Sequence, residues 1–139
     1  MKIMIARGIR NNNPLNIRRV KGQIWKGEVV SPIEDKQFVK FASLEYGLRA
    51  AFCILDTYRN KYHAVCIEDI ITRWAPPTEN DTRKYISDLC RLTGFGGKER
   101  LTENEWPRLV QAMARIECGV TLSEDVILKG FRLYRRSEK

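Results

Sequence analysis

The residue best suited to acid–base chemistry in this chain of 139 residues is Glu117. It follows Val110 and Met113 at spacings of three and four, so its carboxyl group continues the apolar stripe of a predicted helix. It also falls in the last turn of that helix, where the negative end of the helix dipole opposes ionisation. A carboxylic acid that stays protonated can donate a proton to a leaving oxygen, as glycoside cleavage requires. The alternative is a solvated glutamate at a frayed helix end.

Other chemistries have little support in the sequence. Glu45 lies in the first turn of a predicted helix, where the dipole favours the ionised form, so we expect it to start a helix rather than donate a proton. The four cysteines form no C-x-x-C pair and the single histidine, His63, lies in no metal-spaced pattern, so we expect reduced thiols and no metal. The segment "GFGGKE" does not follow a strand, so it is not a phosphate-binding loop.

About five helices and one small β-hairpin are expected to position these residues. The hydrophobic spacing predicts helices over 43–62, 67–75, 81–94, 105–119 and 122–136. Ser43 is a predicted N-cap, and Gly47 inside the first of these helices suggests a close contact with another segment. "GQIWKGEVV" and "KQFVKF" alternate with period two, which predicts two strands joined by the turn "SPIEDK". The expected fold class is α+β, mainly α, in one domain over 1–139.

The net charge of +8 favours an anionic partner, and nucleic acid, an anionic cell wall and a membrane surface all qualify. No stretch approaches the roughly 20 apolar residues of a membrane span. The short apolar run in "MKIMIARGIR" is broken by Arg7 and lacks a cleavage site, so we expect no signal peptide and synthesis in the cytoplasm.

Two stretches resemble the lysozyme-like glucosaminidases. "NNNPLNIRRVKGQIWKGEVV" and "QFVKFASLEYGLRAAFCIL" are similar to their Asn-rich turn, Trp-x-Gly hairpin and Ser-initiated helix, and "RWAPPTENDTRKYISDLCRL" is similar to the loop and Tyr-containing helix that follow. The whole chain also resembles small phage and prophage proteins that begin with Arg-Gly-Ile-Arg-Asn-Asn-Asn-Pro, some of which are virion structural proteins and others lysozyme-like. The resemblance implies a lysozyme-like fold.

The order of the elements departs from that family. In the glucosaminidases the catalytic glutamate ends a helix that precedes the Asn-rich turn, whereas here ten residues precede Asn11. "WPRLVQAMARIECGV", near the other end of the chain, resembles that helix. Our hypothesis is therefore a circular permutation, with Glu117 as the catalytic acid; such a rearrangement is physically possible because chain termini often lie close together at the surface.

The resemblance also implies a set of substrate contacts. Asn13 and Asn16 are expected on the floor of a cleft near Glu117, where their amides can bind the acetamido and hydroxyl groups of a sugar. A run of turn-forming asparagines is a compatible alternative. Trp25 and Trp74 are candidates for stacking on sugar faces, although a tryptophan in such a place is more often an anchor of the core or of the hairpin lobe.

Tyr85, on the Tyr-containing helix, is a further candidate substrate contact. The second carboxylate is expected in the hairpin lobe, where Glu34 or Asp35 could orient water or stabilise an oxocarbenium-like state, with Glu28 nearby on the first strand. The alternative is that the acids of "SPIEDK" serve only turn formation and solubility. Lytic transglycosylases of similar fold work with one acid, so a second is not essential.

The expected function is cleavage of the β-1,4 glycan strand of bacterial peptidoglycan, by hydrolysis or by lytic transglycosylation, without a cofactor. We expect a monomer that acts at the cell wall or in the virion. One alternative is a catalytically inactive virion structural or wall-binding protein. Another is a basic nucleic-acid-binding domain, although the sequence has no helix-turn-helix or aromatic RNA-binding motif.

Overall fold

The computed structural model describes residues 6–30 and 37–137, and this part of the chain is mainly helical. Its elements are six α-helices and one 3₁₀ turn at Glu103–Glu105; the helices are α1 Arg7–Arg10, α2 Leu44–Tyr62, α3 Ile67–Trp74, α4 Thr82–Thr93, α5 Trp106–Cys118 and α6 Glu124–Ser137. The mainly helical class is thus confirmed, and each of the five predicted helices is present. The single turn α1 was not predicted.

The boundaries of the long helices follow from capping residues. The Ser43 hydroxyl accepts from Tyr46 N at 3.4 Å and begins α2, as expected, and α2 ends at His63 in the left-handed conformation. Asp81 caps α4 by accepting from Lys84 N. Gly94 and Gly119, with φ values of 80° and 77°, end α4 and α5. Residues that tolerate positive φ stop a helix without strain, so these endings are encoded locally.

The core is formed mainly by the apolar faces of α2 to α6. Phe52 of α2 lies edge-on to Phe131 of α6, with ring centroids 5.0 Å apart. In α5, Val110 and Met113 are fully buried, so the predicted apolar stripe of this helix is confirmed. The stripe fixes the rotation of α5 about its axis and therefore the direction in which the next residue of the series, Glu117, projects.

A cluster of polar side chains connects α2, the 3₁₀ turn and α6. The Tyr134 hydroxyl donates to Asp56 Oδ1 at 3.1 Å and to Glu103 Oε2 at 2.9 Å. The Arg59 guanidinium bridges the same two carboxylates, at 2.8 and 3.2 Å. Because the buried carboxylate of Asp56 and the partly exposed carboxylate of Glu103 each have a charged and a neutral donor, this cluster has a structural role.

The predicted β-hairpin is not confirmed. In place of strands, the described residues carry two isolated antiparallel bridges, Arg18 with Phe38 and Glu28 with Phe41. The segment 37–41 divides its hydrogen bonds between two partners, since Val39 N donates to Ile17 O while Val29 N donates to Lys40 O. Gly27, with φ of 81°, turns the chain within the first predicted strand and prevents a continuous ladder. We call residues 15–30 and 37–41 the lobe.

The remaining expectations from the sequence concern the cysteines and membrane spans. Cys53, Cys66, Cys90 and Cys118 form no disulfide bond, as expected. Burial raises the pKa of the Cys66, Cys90 and Cys118 thiols, which keeps them in the unreactive protonated form. Within 6–30 and 37–137, no helix is long and apolar enough to cross a bilayer.

Candidate active site

Glu117 lies in the last turn of α5 and lines an open cavity of about 540 Å³. Residues of the lobe, of α2, of the end of α3 and of the loop 75–80 line this cavity. The side chain is partly buried, not solvated at a frayed helix end. The cavity is within the size range of small-ligand sites, so Glu117 is accessible to a substrate group.

Three side chains donate hydrogen bonds to the Glu117 carboxylate. Asn16 Nδ2 donates to Oε1 at 3.2 Å, whereas Trp74 Nε1 and the Tyr85 hydroxyl donate to Oε2 at 3.2 and 2.8 Å. The expectation of apolar surroundings for the Glu117 carboxyl group is therefore wrong in part. The apolar stripe of α5 ends at a polar socket, formed by Asn16, Trp74 and Tyr85. Three fixed donors hold the carboxylate in one orientation, as a reacting group requires.

The two carboxylate oxygens are not equivalent. Oε2 accepts two hydrogen bonds and Oε1 accepts one, and each oxygen of a carboxylate has two acceptor positions. Among the described residues, no donor occupies the second position on Oε1. This oxygen is thus the one that can carry a proton or contact a ligand in the cavity.

Tyr85 positions Glu117 and does not line the cavity, so its predicted role as a substrate contact is wrong. Its side chain is only 9% exposed, and the ring packs in the core. Burial, together with the neighbouring Glu117 carboxylate, raises the pKa of the Tyr85 hydroxyl well above its ordinary value. The hydroxyl therefore remains a hydrogen-bond donor throughout the physiological pH range.

Both predicted tryptophans line the cavity. The Trp74 indole is fixed by its hydrogen bond to Glu117 and by an edge-on contact with Tyr58, with ring centroids 6.5 Å apart. Trp25 belongs to the lobe, and its backbone N–H donates to Glu28 Oε1 at 2.9 Å. The two indoles are partly buried, so they present aromatic surface to the cavity while also anchoring their own segments.

The two predicted asparagines have different roles. Asn16 lines the cavity and contacts Glu117, but Asn13 is fully buried. Asn13 Nδ2 donates to Ile17 O and Val39 O at 2.9 Å, and its Oδ1 accepts from Ile17 N at 2.9 Å. A side chain with all these bonds made and no exposed surface cannot bind a substrate, so the prediction for Asn13 is wrong; it joins the Asn-rich turn to the lobe.

The Asn-rich turn follows directly from its residue types. Asn12 and Asn16 have positive φ values of 51° and 53°, which asparagine tolerates better than most residues. Gly8 of α1 lies so close to this turn that a Cβ there would be 2.8 Å from Asn13 O. The turn thus folds back on α1 and reaches the end of α5.

Comparison with known proteins places the chain in a phage protein family. No protein-family model matches it. It is 42% identical over 129 residues to Protein P5 of Pseudoalteromonas phage PM2, an alignment that covers 91% of this chain and 80% of the phage protein. The chain belongs to the family of this phage protein. The expected phage resemblance is confirmed at this level, and the relationship to lysozyme-like enzymes is not shown.

The two acids predicted as the second carboxylate, Glu34 and Asp35, lie outside the described residues and stay predictions. Glu28 forms an ion pair of 2.7 Å with Arg19 and caps Trp25 N, and its side chain is almost completely buried. Glu28 is therefore a structural residue of the lobe.

Several residues that line the cavity were not singled out from the sequence. Among them are Tyr58 on α2, Arg73 in the last turn of α3, and Glu79 in the following loop. Arg73 precedes Trp74 directly, and Glu79 lies in "APPTEND", so the segment that resembles the glucosaminidases already contained both. Tyr58 carried no such signal, because it continues the apolar spacing of α2 like a core residue.

Proposed function

We propose that this phage-family protein cleaves the β-1,4 glycan strand of bacterial peptidoglycan, with Glu117 as the general acid. The observation that carries the proposal is the Glu117 carboxyl group, which lines an open cavity and is held there by Asn16, Trp74 and Tyr85. A positioned carboxylic acid beside a groove with aromatic walls is the minimal equipment for glycoside cleavage.

The transferred proton resides on Oε1 in this mechanism, because both acceptor positions of Oε2 are used by Trp74 and Tyr85. Transfer of the proton to the glycosidic oxygen leaves a carboxylate. The three donors are already in place to stabilise that developing negative charge, without rearrangement of the site. Asn16 is the donor on the reacting oxygen and so couples the Asn-rich turn to proton transfer.

The walls of the cavity suit a sugar chain. Trp25 and Trp74 both line it and offer aromatic surface, and Asn16 offers an amide oxygen. Glu79 is the candidate second carboxylate within the described residues, since it lines the same cavity. If no second carboxylate takes part, an internal hydroxyl of the substrate completes the reaction and the product carries an anhydro end.

The lysozyme-like fold and its circular permutation belong to the same proposal. The permutation requires a catalytic helix late in the chain to end beside an Asn-rich turn early in the chain. Asn16 and Glu117 are hydrogen-bonded although they are separated by 101 positions, which is the relationship that such a permutation needs. The order of the motifs suggested the permutation, and this contact adds that the two segments lie next to each other in space.

The test compares the release of muropeptides from purified bacterial wall by three proteins. Glu117→Gln removes the transferable proton with little change in size, and we expect release to fall by roughly 10²-fold or more. Glu124→Gln is the matched control, because Glu124 is exposed on α6 and does not line the cavity. Release by Glu117→Gln at the rate of the unaltered protein would disprove Glu117 as the acid. Mass spectrometry of the products distinguishes hydrolysis from transglycosylation.

A second candidate is a virion structural or wall-binding protein without turnover. Kinship with a phage protein and the net charge of +8 are both compatible with it. In that case the unaltered protein and Glu117→Gln bind wall material equally and neither releases muropeptides.

A further inference from the structure

A second cavity adjoins the one that contains Glu117. It has a volume of about 790 Å³ and is lined by the end of α2, by α3 and by Pro76. Tyr58, Arg73 and Pro76 line both cavities. The two cavities are therefore parts of one extended groove, and Arg73 lies at their junction.

Arg73 is a cation without an anionic partner among the described residues. Its guanidinium carbon lies 3.4 Å from the centre of the Tyr62 ring, so the planar group is stacked on an aromatic side chain that is 40% exposed. By contrast, Arg19 and Arg59 form short ion pairs with carboxylates. Asp69 lines the same cavity one helical turn before Arg73, but it forms no ion pair with it.

The stacked guanidinium is prepared to bind an anion. A flat fork of N–H donors matches the two oxygens of a carboxylate, and stacking on Tyr62 reduces the conformational freedom that binding would otherwise remove. The positive charge of Arg73 also reaches the Tyr58 hydroxyl. Burial raises the pKa of this hydroxyl, and the charge of Arg73 offsets part of that rise. Because Asp69 adds a negative charge to this cavity, a singly charged group suits it better than a phosphate dianion.

We propose that the second cavity is a subsite for an acidic substituent of the glycan strand, and that Arg73 binds its carboxylate. This inference relies on the proposed function for the identity of the polymer. Two sources of carboxylate are possible on such a strand: the lactyl ether of an unsubstituted amino sugar, and the peptide stem. Arg73 thereby selects strands with acidic substituents over neutral ones and fixes their register relative to Glu117.

The experiment measures binding in the Glu117→Gln protein, so that no ligand is consumed. Three ligands are compared: a neutral N-acetylglucosamine hexamer, glycan stripped of peptides by an amidase, and glycan with intact peptides. Adding Arg73→Ala should weaken binding of a carboxylate-bearing ligand by about tenfold or more, with less than about a twofold change for the hexamer. Arg73→Lys should retain part of the affinity, because it keeps the charge and loses the fork.

Arg132→Ala is the matched control, since Arg132 is exposed on α6 and lines neither cavity. A tenfold loss with stripped glycan identifies the lactyl carboxylate, and a loss with intact glycan alone identifies the peptide stem. Equal effects of Arg73→Ala on all three ligands, or an effect no larger than that of Arg132→Ala, would overturn the subsite while leaving the proposed function intact. Failure of Glu117→Gln to bind any of the three glycans would overturn both.

Discussion

Asn16 Nδ2 donates hydrogen bonds of 3.2 Å to both the main-chain carbonyl and the side-chain Oε1 of Glu117. The carbonyl is one of those that the end of α5 leaves without a helical partner, so a single amide both caps the helix and orients the candidate acid. Asn16 can do this because its backbone has a φ of 53°, which turns the side chain back toward α5. The stability of the helix end and the geometry of the site therefore depend on the same side chain.

Replacing Asn16 by glycine should remove these bonds without adding backbone strain. We expect Asn16→Gly to lower the free energy of unfolding by about 1–2 kcal/mol and to reduce muropeptide release by roughly tenfold. Asn16→Asp should be worse, because it places a second carboxylate beside Glu117. Urea unfolding and the release assay provide the two measurements.

Asn12→Gly is the control for this comparison. Asn12 also has positive φ, and its Nδ2 donates to Phe41 O at 3.0 Å, away from Glu117. Its loss should reduce stability while release per folded molecule stays unchanged. If Asn16→Gly and Asn12→Gly behave alike in both assays, Asn16 has no special relationship to the reaction.

Removal of the Tyr85 hydroxyl tests the other side of the socket. Tyr85→Phe should lower the free energy of unfolding by about 1–3 kcal/mol, because a partly buried carboxylate oxygen loses a donor at 2.8 Å. Release should also fall, since the Glu117 carboxylate is then held by two donors, Asn16 and Trp74, in place of three.

Tyr134→Phe is a closely matched comparison. Tyr134 is 7% exposed and donates to two carboxylates, but it lies in the polar cluster with Asp56 and Glu103. We expect a similar loss of stability by urea unfolding and no change in release. A loss of release in Tyr134→Phe equal to that in Tyr85→Phe would mean that release follows global stability and not the position of Glu117.

The same two tyrosines should make the fold sensitive to alkaline pH. Burial and neighbouring carboxylates raise the pKa of both hydroxyls above the ordinary value of 10.0. Above that pH the unfolded chain loses these protons while the folded chain keeps them, so stability is complete below about pH 10 and declines as pH rises further. Each tyrosine should contribute a slope of about 1.4 kcal/mol per pH unit.

Urea midpoints at pH 9, 10 and 11 measure this decline. The double variant Tyr85→Phe, Tyr134→Phe should start from a lower stability and lose less of it between pH 9 and 11. Parallel curves for the unaltered and double-variant proteins would show that the hydroxyls ionise equally in both states.

The long helices could be predicted because their information is local. Ser43, Asp81, Gly94 and Gly119 cap helices through bonds to residues within one turn, and the apolar spacing of α5 specifies its buried face. The structure of the lobe could not be predicted in this way. Its segment 37–41 divides its backbone hydrogen bonds between two chain segments and Asn11 O, and period-two alternation does not reveal such a division.

The placement of Glu117, Asn16 and Trp74 beside one cavity was predictable, because residue type and motif order agreed there; their catalytic and binding roles stay predictions. The placement was not predictable where burial decided it. Asn13 and Asn16 are identical in type and three positions apart, yet only the tertiary fold leaves Asn16 beside the cavity and encloses Asn13. Likewise, the apolar stripe that ends at Glu117 suggested an apolar pocket. The polar donors around its carboxylate did not follow from that stripe, because they come from segments that are distant in sequence.

Gly47 supports the close approach of α2 to the Asn-rich turn, a contact that the sequence suggested. A Cβ at this position would collide with the main-chain oxygen of Asn12 and lie 3.3 Å from Pro14 Cδ. In an open helix, Gly→Ala is stabilising by about 1 kcal/mol, but here overpacking should dominate and lower the free energy of unfolding by about 3 kcal/mol. Any surviving folded protein should also release muropeptides more slowly, because displacement of Asn12 moves Asn16 away from Glu117.

Gly96→Ala is the appropriate control for Gly47→Ala. A Cβ at Gly96 would meet its nearest atom, Glu99 Cβ, at an ordinary 3.6 Å, so its effect should stay within about 0.5 kcal/mol. Stabilisation by Gly47→Ala would mean that the turn can retreat from α2 at no cost. The Asn-rich turn would then be too mobile to hold Asn16 against Glu117, and the positioning of the acid would have to come from Trp74 and Tyr85 alone.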